Sequence, residues 1–574
     1  MRRLSSSALR WHFDPESPFT ERGFIRAHEA SKGLRGLQAS HAHSRTAHGS
    51  RPSGGRACRW ANGPSAWSRP ACDHAESTDT ALRAGANTAG APSRVKGVGA
   101  LDVHKRRGFP RAGGWPGLLR RETGSSSPTH SVKPKETESV SDGRIESAAG
   151  SIARIEALGY RCLRYVSCAL RRFQVLVGPN ASGKSTFLDV PAFLRDFVRA
   201  GLIAAVEGDA RLAIPHRASD PRQLTWMNQG RGFELAIEAV IPTDLRSRVK
   251  NGKAHLCRYE LGVSLEGPVR VVTENLWLRP EEPAAVPAQK TLFPEPPAPP
   301  TGIAHAPRKR SPAGWKKIVG RGEEPERVIF CAETSGWNNP FRVPADKAAL
   351  ASLPEDEERF PVATWFRRLL SEGIQRLALS SEAMRLPSPP SRAKGYLPDG
   401  SNLPWIVHTL EASHPDRLRD WVAHVQEALP DVERIETRER EEDRHRYLVL
   451  VYKNGLTIPS WLVSDGTLRL LALTLLAYIP NLSGLYLVEE PENGIHPRAV
   501  ETIYQSLSSV YGAHVLLATH SPVILGMAHP SELLCFARNK EGATDIVSGD
   551  EHPSLKQWRG TLDLGTLFAS GLLG

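Results

Sequence analysis

The nine residues GPNASGKST, Gly178 to Thr186, constrain this chain more than any other stretch. They fit the spacing GxxxxGK[ST], follow an apolar run containing Phe173, Val175 and Val177, and precede a helical period of Phe187, Leu188, Leu194, Phe197 and Val198. A strand that turns through glycines into a helix lets backbone N–H groups converge on phosphate oxygens, and the helix dipole adds to that field. In that setting Gly178, Pro179, Asn180, Ala181, Ser182, Gly183, Lys184, Ser185 and Thr186 are expected to cradle the phosphates of ATP. Lys184 would reach the β- and γ-phosphates and Ser185 would ligate Mg2+. Pro191 should kink or end the helix early.

A phosphate cradle alone leaves the metal without a carboxylate and the attacking water without a base. The stretch LVEEPENGIHP, Leu487 to Pro497, offers both. Leu485 to Val488 is apolar throughout and reads as a buried strand beside the P-loop strand. Glu489 would hold the metal's water shell, Glu490 would orient and deprotonate the water, and Pro491 ends the strand. In VLLATHSPVIL, His520 directly follows another apolar strand, where it can hydrogen-bond the γ-phosphate. In WLVSDGTLRLLAL, Ser464, Asp465 and Gly466 open a buried helix, read as Leu468 to Ile479, and serve equally as an N-cap or an anion site. Asn493 and His496 precede the helix that Pro497 starts, which His496 can cap.

Charge separates the chain into two textures. Of 74 Lys+Arg and 62 Asp+Glu, residues 1–150 hold 24 and 13, and the remainder holds 50 and 49. Of the formal charge of +12, +11 (24 minus 13) therefore belongs to a leader with no sustained apolar period, expected to be disordered, either an over-extended translation start or a basic nucleic-acid-binding arm. The remaining organisation is expected as 151–278, the first half of the head with the P-loop; 279–330, a proline-rich linker; 331–440, a mainly helical insert; 441–540, the second half of the head; and 541–574, a tail. The linker ends in the basic cluster Arg308 to Arg310. Seven cysteines without metal-ligand spacing read as reduced thiols of a cytoplasmic protein. The most apolar run, Leu470 to Ile479, stops at Pro480 and is too short to span a bilayer.

Taken in order, the P-loop, SerAspGlyThr before a helix, GluGluPro after a strand and ThrHisSerPro after a strand resemble ABC-type ATPase heads. More closely, with GlyTyrArg at 159 to 161 and AspGlySerAsnLeu at 399 to 403, the chain resembles the AAA family ATPases of the group that includes SMC, RecF and OLD proteins. The resemblance implies an α/β P-loop NTPase fold with a mixed sheet and an antiparallel β subdomain. It also implies a homodimer closed on ATP, in which Ser464 and Gly466 reach the nucleotide on the other subunit and Asn493 and His496 fall where the chain crosses to that subunit. Two departures stand out: Asp465 replaces a signature glycine, and no glutamine is assignable to metal sensing, Gln223 and Gln229 being weak candidates. Ser464 lies 280 residues after Lys184, where a transporter signature would follow after about a hundred, which weighs against a transporter subunit; no heptads provide SMC arms; and the 54 residues after His520 are too few for a nuclease domain. The reading is an ATP hydrolase coupled to a separate effector protein or to nucleic acid, in phage defence or DNA repair. The alternatives are an ATP-dependent switch with little turnover and a transporter ATPase subunit.

Overall fold

The computed structural model describes residues 151–250, 252–281, 299–305, 311–393, 395–556 and 564–569. The expected leader, the Arg308 to Arg310 cluster, most of the proline-rich run and much of the tail lie outside them.

An antiparallel sheet runs in the order β2-β1-β4-β5-β6-β7-β8-β9. Its strands are β1 (Ile152–Tyr160), β2 (Leu163–Ala169), β4 (Gly232–Val240), β5 (Leu256–Ser264), β6 (Arg270–Arg279), β7 (Lys316–Arg321), β8 (Arg327–Cys331) and β9 (Asn338–Arg342). The central sheet has the order β10-β14-β15-β3-β16-β17, with β10 (Ile374–Arg376), β14 (Leu485–Glu489), β15 (His514–Ala518), β3 (Phe173–Val177), β16 (Leu533–Arg538) and β17 (Thr544–Ser548). Its pairs are parallel except β16 with β17. A small antiparallel sheet, β11 (Val432–Glu439), β12 (Arg446–Tyr452) and β13 (Thr457–Pro459), completes the strands.

The continuous apolar runs of β3, β14 and β15 are buried on both faces, as a covered parallel sheet requires. Side chains alternate across the sheet, so each strand feeds two cores. Leu485, Leu487, Leu516 and Leu176 join the antiparallel sheet and α1 (Lys184–Ala200) in one. Tyr486, Val488, Leu517 and Val175 join α5 (Pro415–Ala428), α6 (Asp465–Leu475) and α7 (Pro497–Ser508) in the other, beside α4 (Leu403–Ser413). The mixed sheet, the antiparallel subdomain and the helices of the insert, among them α2 (Pro361–Ser371) and α3 (Ser381–Arg385), are all present.

Four local expectations are corrected. Helix α1 continues past Pro191 to Ala200. The missing amide costs about 3 kcal/mol, and the full burial of Phe187, Phe193 and Phe197 offsets it. Residues 316–342, expected as the end of a linker and the start of a helical insert, carry the strands β7, β8 and β9, because Ile318, Val319, Val328 and Phe330 are apolar groups buried in the same sheet. Strand β14 does not lie beside the P-loop strand, since β15 pairs with both. Helix α6 begins three residues earlier than Leu468, because the Ser464 hydroxyl accepts the Thr467 N–H (3.3 Å), and it passes into a 3-10 turn at Leu476–Tyr478.

The cysteines within the described residues, Cys162, Cys168, Cys257, Cys331 and Cys535, are free thiols. Burial pushes Cys168 and Cys535 up to about 12. Among the described residues no helix is long and apolar enough to cross a membrane.

His514 opens β15 with 5% of its surface exposed, and burial lowers its pKa to about 4. Below pH 6.5 the unfolded chain takes up a proton there that the folded chain refuses, so stability is lost as pH falls and the loss levels off near pH 4. It should reach about 3 kcal/mol. Urea unfolding of His514→Gln should show a correspondingly flatter pH dependence in that window; an unchanged slope would assign the acid sensitivity to other groups.

Candidate functional site

The chemistry gathers at the C-terminal ends of β3, β14 and β15. Gly178 leaves β3 with φ +153°, and a Cβ there would lie 2.2 Å from the Phe536 carbonyl on neighbouring β16. Gly183 has φ +106° and would bring a Cβ 2.3 Å from the Thr544 hydroxyl. That hydroxyl donates to the Ser182 carbonyl (2.9 Å), pinning the loop to β17. α1 then starts without a side-chain cap, so its first amides are available to an anion. The helix itself is fixed from behind. Tyr160 donates to Asp189 (2.7 Å), and Arg217 bridges Asp189 and Asp196 at 2.8 Å each. The tyrosine of GlyTyrArg is thus a support of α1, while its Arg161 lines the site.

The Lys184 ammonium donates to the Gly178 and Pro179 carbonyls (2.8 and 3.0 Å), which holds it in the concavity of the loop. Burial lowers its pKa, opposed by the negative charges of Glu490 and Glu489. The Ser185 hydroxyl donates to Glu489 Oε2 at 2.6 Å, so the hydroxyl and carboxylate assigned to one metal meet directly. Among the described residues no group of three His, Cys, Asp or Glu side chains forms a metal cage. A hydroxyl plus one carboxylate suits an ion that keeps several waters and takes phosphate oxygens, as Mg2+ does.

Glu490 has φ +46°, a left-handed conformation that costs a non-glycine residue about 1–3 kcal/mol and that clusters at functional sites. Its N–H donates to the Ala518 carbonyl (2.8 Å), and the Asn493 amide donates to its carboxylate. His520 follows β15, and its pKa is lowered, first by desolvation and then by Lys184. Both favour the neutral ring, against the opposing charges of Glu490 and Glu492.

One cavity of about 420 Å³ is lined by Asn180, Ala181, Ser182, Gly183, Lys184, Ser185 and Thr186 of the loop, by Glu489, Glu490 and His520, and by Arg161, Cys162 and Arg538. Gly178 and Pro179 support Lys184 from the strand end. Ser464 and Gly466 do not line this cavity. They start α6 against the loop after β14, where a Cβ on Gly466 would lie 2.6 Å from the Gly494 carbonyl, and Arg469 donates to the Asn493 carbonyl (2.8 Å). Gln223 and Gln229 are not on the cavity either. His496 caps α7, its ring accepting the Arg498 N–H (3.3 Å).

Two residues escaped the sequence reading. Glu492 accepts from the Thr519 hydroxyl (2.6 Å) and the His520 N–H (3.0 Å), tying the loop after β14 to the loop after β15. Its place in GluGluProGlu was the available signal. Arg376 pairs with Glu489 Oε1 at 2.6 Å, and nothing in its local sequence announces this. Truncating Glu492 to Ala leaves a buried threonine hydroxyl and the His520 N–H without that acceptor. Phosphate release should fall about tenfold or more with the fold intact, as expected when a positioning contact is lost; a wild-type rate would mean the loop stands without it.

A glycine-rich loop between β3 and α1, a carboxylate pair closing a parallel strand two places away and an antiparallel sheet at the side define a P-loop NTPase head of the ABC type. A profile of the family described as "AAA domain, putative AbiEii toxin, Type IV TA system" matches residues 337–526. Solved structures that the chain resembles include an SMC head bound to the C-terminal winged-helix domain of ScpA, with 15% identity, a TM-score of 0.41, and 69% of this chain and 97% of that chain covered. Another is an SMC head with an extended coiled coil bound to the C-terminal domain of ScpA, derived from Pyrococcus furiosus (12%, 0.39, 69% and 96%). A third is the SMC head domain from Thermotoga maritima (11%, 0.32, 69% and 98%). No curated protein matches the chain.

Proposed function

We propose that this chain binds ATP with Mg2+ in the 420 Å³ cavity and hydrolyses it, coupling the cycle to a separate effector in phage defence or DNA repair. The observation that carries the reading is the 2.6 Å contact between Ser185 and Glu489 on the wall that also holds Lys184, Glu490 and His520. Ser185 and, through water, Glu489 would hold Mg2+, which when bound neutralises charge on the β- and γ-phosphate oxygens. Loop amides and the Lys184 ammonium position the phosphates. Glu490, held by Ala518 and Asn493, accepts a proton from the attacking water, and His520 hydrogen-bonds the terminal phosphate. Ser464, exposed at the α6 N-terminus, and half-buried Gly466 beside it, both off their own cavity, complete the site on a second copy of the chain. The family description, which names a toxin of a toxin–antitoxin system, supports a defence role.

The test is phosphate release from ATP by the wild type with Mg2+ and with EDTA. Metal-dependent release supports a hydrolase; tight ATP binding without release above background would make the protein a switch instead.

A further inference from the structure

Glu489 has both oxygens engaged. Oε2 accepts the Ser185 hydroxyl and Oε1 takes the Arg376 guanidinium, each at 2.6 Å. Arg376 is the last residue of the edge strand β10, opposite Leu487 in the parallel register, and the Leu377 N–H donates to the Leu487 carbonyl (2.9 Å). Backbone pairing therefore sets where the guanidinium sits relative to the end of β14. The pair is half-open, with 37% of the arginine and 24% of the glutamate side chain exposed, so solvent weakens it without dissolving the geometry. From β10 the chain runs directly into α3, whose Arg385 pairs with Asp465 and donates to the Val463 carbonyl (3.0 Å), beside Ser464. One short segment thus holds the carboxylate of its own cavity at one end and the start of α6 at the other.

Resting on the ATP-site reading above, we propose that Arg376 is a positioning residue with two opposed effects: it aims the Glu489 carboxylate at Ser185, and its fixed positive charge weakens the site's hold on the divalent cation. A charge-assisted contact to Oε1 fixes the carboxylate rotamer and leaves only Oε2 toward Ser185. The same guanidinium repels a dication brought to Ser185, and a neutral amide in its place would not.

The opposed effects give a signature that simple loosening of the site lacks. Binding of mant-ATP is followed by fluorescence as Mg2+ is raised, alongside phosphate release at saturating Mg2+. Arg376→Gln should lower the Mg2+ midpoint of mant-ATP binding at least threefold while reducing release at least fivefold. Arg376→Lys, which keeps the charge, should keep the midpoint within twofold of wild type. In a Glu489→Gln background, Arg376→Gln should no longer change release. An unchanged or raised midpoint in Arg376→Gln, with wild-type mant-ATP binding still dependent on Mg2+, overturns the inference alone. Wild-type binding indifferent to Mg2+ overturns the ATP-site reading with it.

Discussion

Glu490→Gln should release phosphate at least 100-fold more slowly than wild type while still binding ATP, and at saturating ATP it should elute at twice the monomer mass. The substitution keeps size and shape and removes only the capacity to accept a proton, a contribution worth roughly 10²- to 10⁴-fold for a general base. Two features single out this carboxylate from its neighbour. Glu489 is tied on both oxygens, to Ser185 and Arg376, and is committed to that pair. Glu490 is held by its own N–H and by one amide, Asn493, in a strained left-handed conformation. Strain at that position persists because the β14–β15 pairing fixes the backbone that leads into it and the Glu490 N–H to Ala518 carbonyl bond extends that pairing by one residue. The neutral glutamine can still accept the Asn493 amide, so the fold should be unchanged. Equal, near-background release from wild type and variant would remove the hydrolase reading and leave a nucleotide-binding switch.

The site was legible where its chemistry is contiguous. GPNASGKST, GluGluPro and ThrHisSerPro each carry their strand context in the adjacent residues, and the structure brings all three to one cavity. What was not legible lies between segments. The order β14-β15-β3 cannot be read from three equally apolar strands, since a parallel sheet is set by crossovers and not by local pattern. Arg376 sits on a strand of three residues, too short to show a period, and reaches Glu489 across 113 positions of sequence. Strands β7 and β8 follow a run of ten prolines in residues 280–312, whose composition dominated the reading of what came next. Pro191 shows the converse: a strong local rule yields to a helix buried against the sheets on either side of it.

The placement of Ser464 makes a second large effect testable. Its hydroxyl caps α6, the residue is exposed, and it lies off the cavity that contains the P-loop of the same chain. A helix N-terminus presented to solvent in this way attracts anions, and the proposed occupant is the terminal phosphate on a second copy. Lys184→Ala removes the phosphate contact of a chain's own cavity; Ser464→Arg fills the α6 terminus with a bulky side chain and leaves the P-loop untouched. Each variant alone should retain at most a few per cent of wild-type release. Mixed in equal amounts and allowed to re-associate, half the two-fold dimers carry one of each chain, and in those dimers one of the two sites pairs an intact P-loop with an intact Ser464, so roughly a quarter of wild-type release should return. Were the site complete within a single chain, mixing would restore nothing, because Ser464→Arg alone would be active and Lys184→Ala would remain dead. A mixture no faster than the average of its two parents would therefore overturn the shared site, and Asp465, held by Arg385, would then be a helix terminus and nothing more.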